Sequence, residues 1–491
     1  MVTEMHRLLW VLLPLFAPLL CPTDAWEANI SQDLAVTITT NNPGFYVAFN
    51  GSDSNPGTLS QPFGTLDKCQ SAMQTSSTKT CYIRAGTYTP SASGSSCVFA
   101  YNASLNLTSS DNNETWAKYP SDAVGSVIID GQSTTGASGS VGNGTVCGFY
   151  IEGASNITVD GLRFTRYGLS GVWADGSSNI TVQNTEVGPT TSFVFSSAGI
   201  TFRSSTGSLA DHNYVHDTSA MGIGLWGYAT TGDISNSTFS NNVIINSCTW
   251  PAVPGGGNDQ NGGDCGAIYV QDHFNGGGTS TNIHFTNNYI RDVNISSNGA
   301  GDFTNAGVFG IYQDDGASNI TSSGNVVLGI KSMCWMVSGG INDHMTGNIC
   351  DMDNASVLQI VDVNNSSLVS LGMTGNTWQN NIVVLGSSSS GSGYVGIGGP
   401  PAPLSISNNF YHNYVGSSVT TTGSGGAGSD SSPVTGDPQI SCYVATIAGG
   451  SPVFQPPPSG INFPGITGGW GPPGFVMPQT GGTAPSWPHG C

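Results

Sequence analysis

The most regular feature of the sequence is a short alternation of polar and apolar residues that returns at a fixed spacing. Asn156-Ile-Thr-Val is followed 23 residues later by Asn179-Ile-Thr-Val, and Asn319-Ile-Thr-Ser precedes Asn342 by the same interval. Such short alternation is typical of β-strands rather than of helices. Each copy leads into a second motif, an asparagine followed by apolar residues, and these motifs begin at Asn213, Asn288, Asn325, Asn348, Asn376 and Asn409.

A period in the low twenties predicts one coil of a parallel β-helix per repeat. Successive coils would stack about 4.8 Å apart and would bury their inner faces only against their neighbours. Asparagines at equivalent turns can form a hydrogen-bonded ladder, and asparagine tolerates the left-handed backbone conformation. Leucine-rich repeats have a similar period, but their Leu-x-x-Leu-x-Leu pattern is missing here. The predicted fold is therefore all-β, a single-stranded right-handed parallel β-helix (β-solenoid).

Composition divides the chain into four parts. Residues 1–25 contain a basic residue, an apolar stretch broken by prolines and small residues near the end, which is typical of a cleaved secretory signal peptide. We expect an N-terminal region and cap over 26–125 and regular coils over 126–420. The tail, 421–491, is rich in Gly, Ser and Pro, and is either an ordered strap or a linker.

The charge narrows the choice of partners. Only 8% of the residues are charged, the net charge is −20, and Lys and Arg together number 10. A nucleic-acid partner and an anionic membrane surface are therefore disfavoured.

The signal predicts a secreted, extracellular protein, and its apolar stretch is too short to span a membrane. A lipoprotein signal at Cys21 is the alternative, although Leu20 stands where a small residue is expected.

Cysteines and sequons agree with secretion. Ten cysteines remain after Cys21, which predicts disulfides, and the absence of CxxC pairs disfavours zinc. The expected local pairs are Cys69–Cys81, Cys248–Cys265 and Cys334–Cys350. The tail ends in Cys491, which could support self-association.

The sequence contains fourteen N-x-[ST] sequons, although a chain rich in Asn, Ser and Thr also produces sequons by chance. Asn364 and Asn365 are adjacent, so both cannot easily carry a glycan. The predicted glycosylation sites are Asn29, Asn50, Asn102, Asn106, Asn113, Asn143, Asn156, Asn179, Asn236, Asn294, Asn319, Asn354 and Asn365.

Three segments carry a resemblance to a known family. The stretch 45–58 (FYVAFNGSDSNPGT), Gln61-Pro-Phe-Gly-Thr-Leu and Ile83-Arg-Ala-Gly-Thr-Tyr resemble the opening of secreted right-handed β-helix proteins of the pectate-lyase-like superfamily. Gly310-Ile-Tyr-Gln-Asp-Asp-Gly is similar to their coil pattern, and the resemblance covers about residues 45–415. It implies the fold but leaves the activity open, because that superfamily includes lyases, glycoside hydrolases, epimerases, tailspikes and non-catalytic surface proteins.

Aligning the coils by their repeat predicts an acidic column of Asp175, Asp272 and Asp315, with Asp314 beside it. A glycosidase needs two carboxyl groups about 5 Å apart for retention or about 6.5–9.5 Å apart for inversion, which adjacent coils can supply. We therefore expect Asp272, Asp314 and Asp315 to be catalytic, with His273 orienting a carboxylate or acting as general acid. For Asp175 and Asp315 the alternative is a turn-capping role, since each precedes a glycine and Asp-Gly is a common turn pair.

The doublet Gln313-Asp314-Asp315 resembles the paired-aspartate element of polygalacturonase-like hydrolases. The Gly-His-Gly and Arg-Ile-Lys elements of those enzymes are absent from this sequence.

The same alignment predicts an aromatic column on which sugar rings could stack. Trp173, Tyr269, Tyr312 and Trp335 occupy equivalent positions, unless they point inward and fill the coil. Lys331 is a further candidate for substrate binding. Metal ligands are unknown from the sequence, although calcium held by the acidic column could neutralise a uronate.

These observations favour a secreted carbohydrate-active protein with a polysaccharide partner, acting as a glycoside hydrolase through paired aspartates. The first alternative is a calcium-assisted polysaccharide lyase or epimerase. The second is a non-catalytic glycosylated matrix, coat or adhesion protein.

Overall fold

A computed structural model shows a chain built almost entirely from short β-strands. Near the N-terminal end lie an α-helix, Leu66–Gln74, and a short 3-10 helix, Ser109–Asp111. Within the described residues, no helix has the length and apolar character that crossing a bilayer requires. The structure describes residues 43–90, 93–97, 101–134, 145–191, 197–228, 233–249, 265–274, 280–293, 308–330, 333–352, 358–361, 374–386, 391–392, 394–397, 404–413, 415–416, 418–422, 428–437, 460–463 and 469–475.

The strands form three long sheets, here called A, B and C, and the chain passes from C to A to B before it returns to C. Sheet A contains Phe45–Val47, Thr80–Ile83, Thr115–Lys118, Thr158–Asp160, Thr181–Gln183, Leu209–Asp211, Thr238–Ser240, Ile283–Thr286, Ile320–Ser323, His344–Thr346, Asn376–Gln379 and Leu404–Ser407. Sheet B contains Gly86–Tyr88, Val127–Asp130, Arg163–Thr165, Glu186–Val187, Tyr214–His216, Val243–Ile245, Tyr289–Val293, Val326–Ile330, Ile349–Met352, Ile382–Leu385, Phe410–Asn413 and Val434–Thr435.

Sheet C contains Ser93–Cys97, Tyr101–Leu107, Cys147–Glu152, Ser170–Asp175, Ala198–Arg203, Met221–Tyr228, Cys265–Phe274, Val308–Asp314, Met333–Ser338, Leu358–Val361 and Tyr394–Ile397. Its first two strands are antiparallel, and its other neighbours are parallel. A separate parallel pair joins Gly391–Ser392 to Val419–Thr420. The predicted parallel β-helix is confirmed, and its strands stack from Phe45 to Thr435, beyond both ends of the region 126–420.

The core is a set of columns in which each inward side chain meets its counterpart one coil away. Ile223, Ile268 and Ile311 lie in register on consecutive strands of sheet C and are fully buried. In sheet A, Phe239 stacks on Phe285 with ring centroids 5.4 Å apart. Because every second side chain of a strand points inward, one short alternating strand supplies one layer of core per sheet.

An internal asparagine ladder fixes the turn between sheets A and B, and confirms the ladder that the sequence predicts. In each pair, Nδ2 of one asparagine donates to Oδ1 of the next at 2.9–3.0 Å. The side chains are buried, and the ladder ends on Asp430, whose Oδ2 accepts from Asn409 at 2.8 Å. Its members are Asn213, Asn242, Asn288, Asn325, Asn348, Asn381 and Asn409.

Two details of the predicted ladder are wrong. Asn376 lies outside it, because it begins a strand of sheet A and its Oδ1 accepts from the backbone N–H of Asp343 at 2.9 Å. The left-handed conformation belongs to the residue before each ladder asparagine, as in Asn241 (φ 56°) before Asn242. The preceding residue makes the sharp turn, which leaves the ladder asparagine able to direct its amide toward the next coil.

Disulfides and the C-terminal tail tie the coils further. The three local disulfides expected from the sequence are present: Cys69–Cys81, Cys248–Cys265 and Cys334–Cys350. Residues 460–463 and 469–475 of the tail lie on the apolar outer face of sheet B, where the Trp470 ring packs 4.9 Å from Tyr289. In these residues the tail is an ordered strap. Cys491 and the predicted signal segment lie outside the described residues.

We expect Asn325→Ala to lower the free energy of unfolding by about 3 kcal/mol, because it leaves several buried groups unpaired. Its Oδ1 accepts from both nitrogens of Asn288, and its Nδ2 donates to the carbonyl oxygen of Phe285 at 2.8 Å. The matched control is Asn342→Gly, which keeps a left-handed residue (φ 55°) and removes an exposed hydrogen bond. Thermal and denaturant unfolding measure both, and equal losses would contradict a structural role for the ladder.

Glu114 makes stability depend on pH. Its side chain is fully buried beside Trp116, whose Nε1 donates to Oε2 at 3.1 Å, and burial raises the pKa of Glu114 to about 8. Between pH 4.5 and 8 the folded chain therefore keeps a proton that the unfolded chain has released, so stability falls as pH rises through this window.

We expect Glu114→Gln to melt above the wild type at pH 8 and close to it at pH 4.5, because glutamine accepts the Trp116 hydrogen bond without a buried charge. Circular dichroism melting curves at both pH values give the comparison, with the exposed Glu152→Gln as the control for losing a charge. A difference from wild type that is the same at both pH values would contradict the assignment.

Candidate functional site

The outer face of sheet C carries the residues that the sequence singles out. Strand pairing places outward side chains in two adjacent columns. The first column contains Tyr150, Trp173, Thr201, Gly224, Tyr269, Tyr312 and Met336. The second contains Glu152, Asp175, Arg203, Trp226, Gln271 and Asp314.

Three of the four predicted aromatics share the first column. Trp173, Tyr269 and Tyr312 lie in it, and the rings of Tyr269 and Tyr312 meet edge to face at 5.2 Å. Trp226, from the second column, lies 5.5 Å from Tyr269 and covers Gly224. Trp173 and Tyr269 are fully buried and Tyr312 is 5% exposed, so their ring faces are not open to solvent in this conformation.

The alignment of Trp335 with Tyr312 is wrong by one residue. Trp335 pairs with Ile311, whereas Met336 pairs with Tyr312. Trp335 consequently points into the coil, where it is fully buried and meets Trp378 with ring centroids 5.4 Å apart. Trp335 is therefore a core residue, which agrees with the alternative that these aromatics point inward and fill the coil.

The acidic column is likewise shifted. The counterpart of Asp175 along the second column is Asp314, not Asp315. Asp315 and Gly316 both have left-handed backbones (φ 47° and 76°) and form the centre of a β-turn that the hydrogen bond from Ala317 N to Asp314 O closes at 2.9 Å. This turn adds a residue after the strand, which a constant repeat length does not anticipate.

Asp314 and Asp315 are consecutive residues whose side chains have different surroundings. Asp314 is 6% exposed; its Oδ2 accepts from the Tyr269 hydroxyl at 2.6 Å and its Oδ1 from the backbone N–H of Asp315 at 2.8 Å. Asp315 is half-buried, and its Oδ2 accepts from the Gln271 amide of the preceding coil. The doublet thus brings two carboxyl groups to one edge of sheet C.

Asp272 follows Gln271 as Asp315 follows Asp314, but its carboxylate serves a different purpose. Its Oδ2 accepts from the backbone N–H of Ser280 at 2.6 Å and its Oδ1 from the Ser280 hydroxyl at 2.9 Å. Both groups are buried, so Asp272 anchors the chain where it leaves sheet C for sheet A.

Asp175 belongs to an ion pair that sequence reasoning missed. Arg203 on the next coil donates through Nε to Asp175 Oδ1 at 2.9 Å and through its second nitrogen to Oδ2, and the Tyr150 hydroxyl donates to Oδ2 at 3.3 Å. Glu152 is the exposed register neighbour of Asp175 on the preceding coil. The partner was missed because Arg203 lies 28 residues after Asp175, on a coil longer than the 23-residue repeat.

A second cluster of ionisable groups lies on sheet B. His216 Nδ1 lies 2.7 Å from Asp217 and Nε2 lies 3.2 Å from Glu186. Burial alone would lower the pKa of His216, but these carboxylates raise it above its ordinary value. Tyr214 stacks on His216, and Phe475 of the strap packs on Tyr214 at 4.7 Å. The strap therefore reaches this cluster, and we consider it a structural one.

Several predicted residues lie outside what the structure describes. Lys331 and the side chain of His273 are among them, as are the sequon asparagines Asn29, Asn143, Asn294, Asn354 and Asn365. Five other sequons share one corner between sheets C and A, here called the corner column: Asn113, Asn156, Asn179, Asn236 and Asn319. Asn156 donates to Asn113 at 2.9 Å and Asn179 to Asn156 at 3.0 Å.

The described residues do not form a calcium site. No group of three or more His, Cys, Asp or Glu side chains in that part of the chain could hold a metal ion. Calcium takes six to eight oxygen ligands, whereas both oxygens of Asp272 already accept hydrogen bonds from Ser280.

Comparison with curated proteins gives no significant match. Solved structures similar to this chain include the pectate lyase Pel9A, at 15% identity over 83% of this chain and 84% of that chain, with a TM-score of 0.46. The GH136 lacto-N-biosidase of Eubacterium ramulus is 12% identical over 80% and 67%, with a TM-score of 0.46. The surface adhesin PfbA of Streptococcus pneumoniae is 12% identical over 73% and 94%, with a TM-score of 0.43.

The family model described as "Right handed beta helix region" matches residues 126–357. This segment contains part of each of the three parallel sheets and the rungs of the internal asparagine ladder from Asn213 to Asn348. The match and the sheet topology agree, and the chain folds as a right-handed parallel β-helix.

Proposed function

We propose that the protein is a glycoside hydrolase that acts on an extracellular polysaccharide through Asp314 and Asp315. The observation that carries the proposal is the pair of consecutive aspartates at the end of the sheet C strand Val308–Asp314, each held by a side chain of the preceding coil. One is buried against the Tyr269 hydroxyl, and the other is half-buried against the Gln271 amide. Hydrolysis of a glycosidic bond needs one carboxyl group that gives a proton to the leaving oxygen and one carboxylate that acts as base or nucleophile.

The hydrogen bonds around the doublet would hold both groups in place. The Asp314–Ala317 turn fixes the backbone, and Tyr269 and Gln271 donate from the preceding coil. Rigid support of this kind is what a catalytic pair requires, since small displacements of a reacting group cost much of the rate. This arrangement favours the paired-aspartate hypothesis, with Asp314 and Asp315 in place of Asp272 and Asp315.

We expect Asp314→Asn and Asp315→Asn each to reduce turnover by about 10²-fold or more, the lower range for losing acid–base catalysis. The substrate is first identified by incubating the purified protein with a panel of polysaccharides and measuring new reducing ends. The control is Asp160→Asn on the outer face of sheet A, a half-buried aspartate that likewise accepts from a side-chain amide. Wild-type rates in both doublet variants would remove the site.

The products distinguish the alternatives. A hydrolase yields saturated reducing ends, whereas a lyase yields unsaturated ends that absorb ultraviolet light. An epimerase changes the sugar composition without shortening the polymer. A non-catalytic matrix, coat or adhesion protein leaves every polymer of the panel intact.

Asp272→Ala should act on stability rather than on chemistry. We expect a loss of about 2 kcal/mol, because the buried N–H and hydroxyl of Ser280 lose their partner. The control is Asp233→Ala, which removes an exposed carboxylate that accepts one hydrogen bond from the backbone N–H of Ser235. Melting temperatures and the rate per folded molecule are measured together. An Asp272 variant that melts like the wild type but loses turnover as Asp315→Asn does would restore Asp272 to the catalytic pair.

A further inference from the structure

The outer face of sheet C is almost devoid of positive charge. In the strands of this sheet, Arg203 is the only lysine or arginine, whereas the carboxylates are Glu152, Asp175, Asp272 and Asp314. Asp315 follows directly after one of these strands. The sequence as a whole continues this imbalance, because Arg291 and Lys331 are the only lysines or arginines after Arg203.

Arg203, the only lysine or arginine within the strands of sheet C, is already paired. Arg203 makes a two-pronged contact with Asp175, and the arginine and aspartate side chains are 27% and 14% exposed. A two-pronged arginine–carboxylate pair satisfies the guanidinium in the geometry that it would otherwise offer to a uronate. Arg291 cannot substitute, since it lies in sheet B and pairs with Asp292 at 3.4 Å.

A polyanion would therefore meet the carboxylates of Glu152 and Asp315 without a compensating cation from the strands of sheet C. The carboxylates of the polymer and those of the protein would repel one another. At 0.1 M salt this repulsion is screened over about 10 Å. A neutral sugar is not repelled, and its hydroxyls can donate hydrogen bonds to these two carboxylates. The face is suited to uncharged polymers.

Resting on the function proposed above, we propose that the substrate is a neutral polysaccharide and that Asp175 is a specificity-determining residue that excludes polyuronates by occupying Arg203. Asp175 touches neither Asp314 nor Asp315 in the described contacts, so its role is separate from the chemistry. The exclusion is electrostatic and should weaken as salt is added.

Binding of the full chain is measured on a matched pair of polymers: the polysaccharide that the panel identifies, and the same polymer with its primary alcohols oxidised to carboxylates. We expect the oxidised form to bind about tenfold or more weakly at low salt, with partial recovery at high salt. Both series are repeated with a chelator and with added calcium. Binding of the oxidised form that equals or exceeds that of the neutral form, with or without calcium, would overturn the inference.

Asp175→Asn should release Arg203 and raise the affinity for the oxidised polymer by about threefold to tenfold, with no change for the neutral one. The matched control is Asp122→Asn, which removes the same charge and releases Arg84, paired at 3.0 Å outside sheet C. An equal gain in both variants would show an effect of net charge and would overturn the role of Asp175. If no polymer of either kind binds, the proposed function itself fails; a preference for the oxidised form overturns only the present inference.

Discussion

The internal asparagine ladder is the interaction on which the rest of the helix depends. Each rung satisfies a backbone carbonyl of an earlier coil, a backbone N–H and the amide of its neighbour, as Asn325 does for Phe285 and Asn288. Buried polar groups at a turn must find partners inside the protein. From Asn213 to Asn409 the ladder supplies them at each coil and thereby fixes which residue of one coil lies opposite which residue of the next. The columns on all three faces follow from that register.

The corner column shows that the fold itself requires the Asn-Ile-Thr motif. Asn156 is exposed with φ 59°, Ile157 is fully buried in the core, and Thr158 begins the next strand of sheet A. The turn requires a left-handed residue, the core requires an apolar one, and the strand accepts a β-branched polar one. Asn-Ile-Thr therefore satisfies the fold and is also a sequon. Glycosylation of the corner column stays a prediction, because structure alone accounts for these motifs, whereas Asn50 lies outside that column.

The period of the sequence was sufficient for the fold and for the core, because alternation and turn asparagines repeat in every coil. It was insufficient for the site, because the coils differ in length. Tyr269 and its partner Asp314 are 45 residues apart, whereas Asp175 and Arg203 are 28 apart. One additional residue in the turn after Asp314 shifts the alignment, so that Asp315 was matched to Asp175. The alignment of Trp335 with Tyr312 was also wrong by one residue. A shift of one residue moves a side chain from the outer face to the core.

The outer faces of the three sheets differ in the side chains that they present. The outer face of sheet B carries an apolar cluster that the strap partly covers, as the burial of Phe463 and Trp470 shows. The outer face of sheet A presents small polar side chains in register, such as Thr158 and Thr181. On sheet C, hydrogen bonds from the preceding coil reach two consecutive carboxyl groups, those of Asp314 and Asp315. On sheet A, hydrogen bonds between coils reach single carboxylates such as Asp160 and Asp211. The function proposed above needs two carboxyl groups, so it places the substrate at the doublet of sheet C.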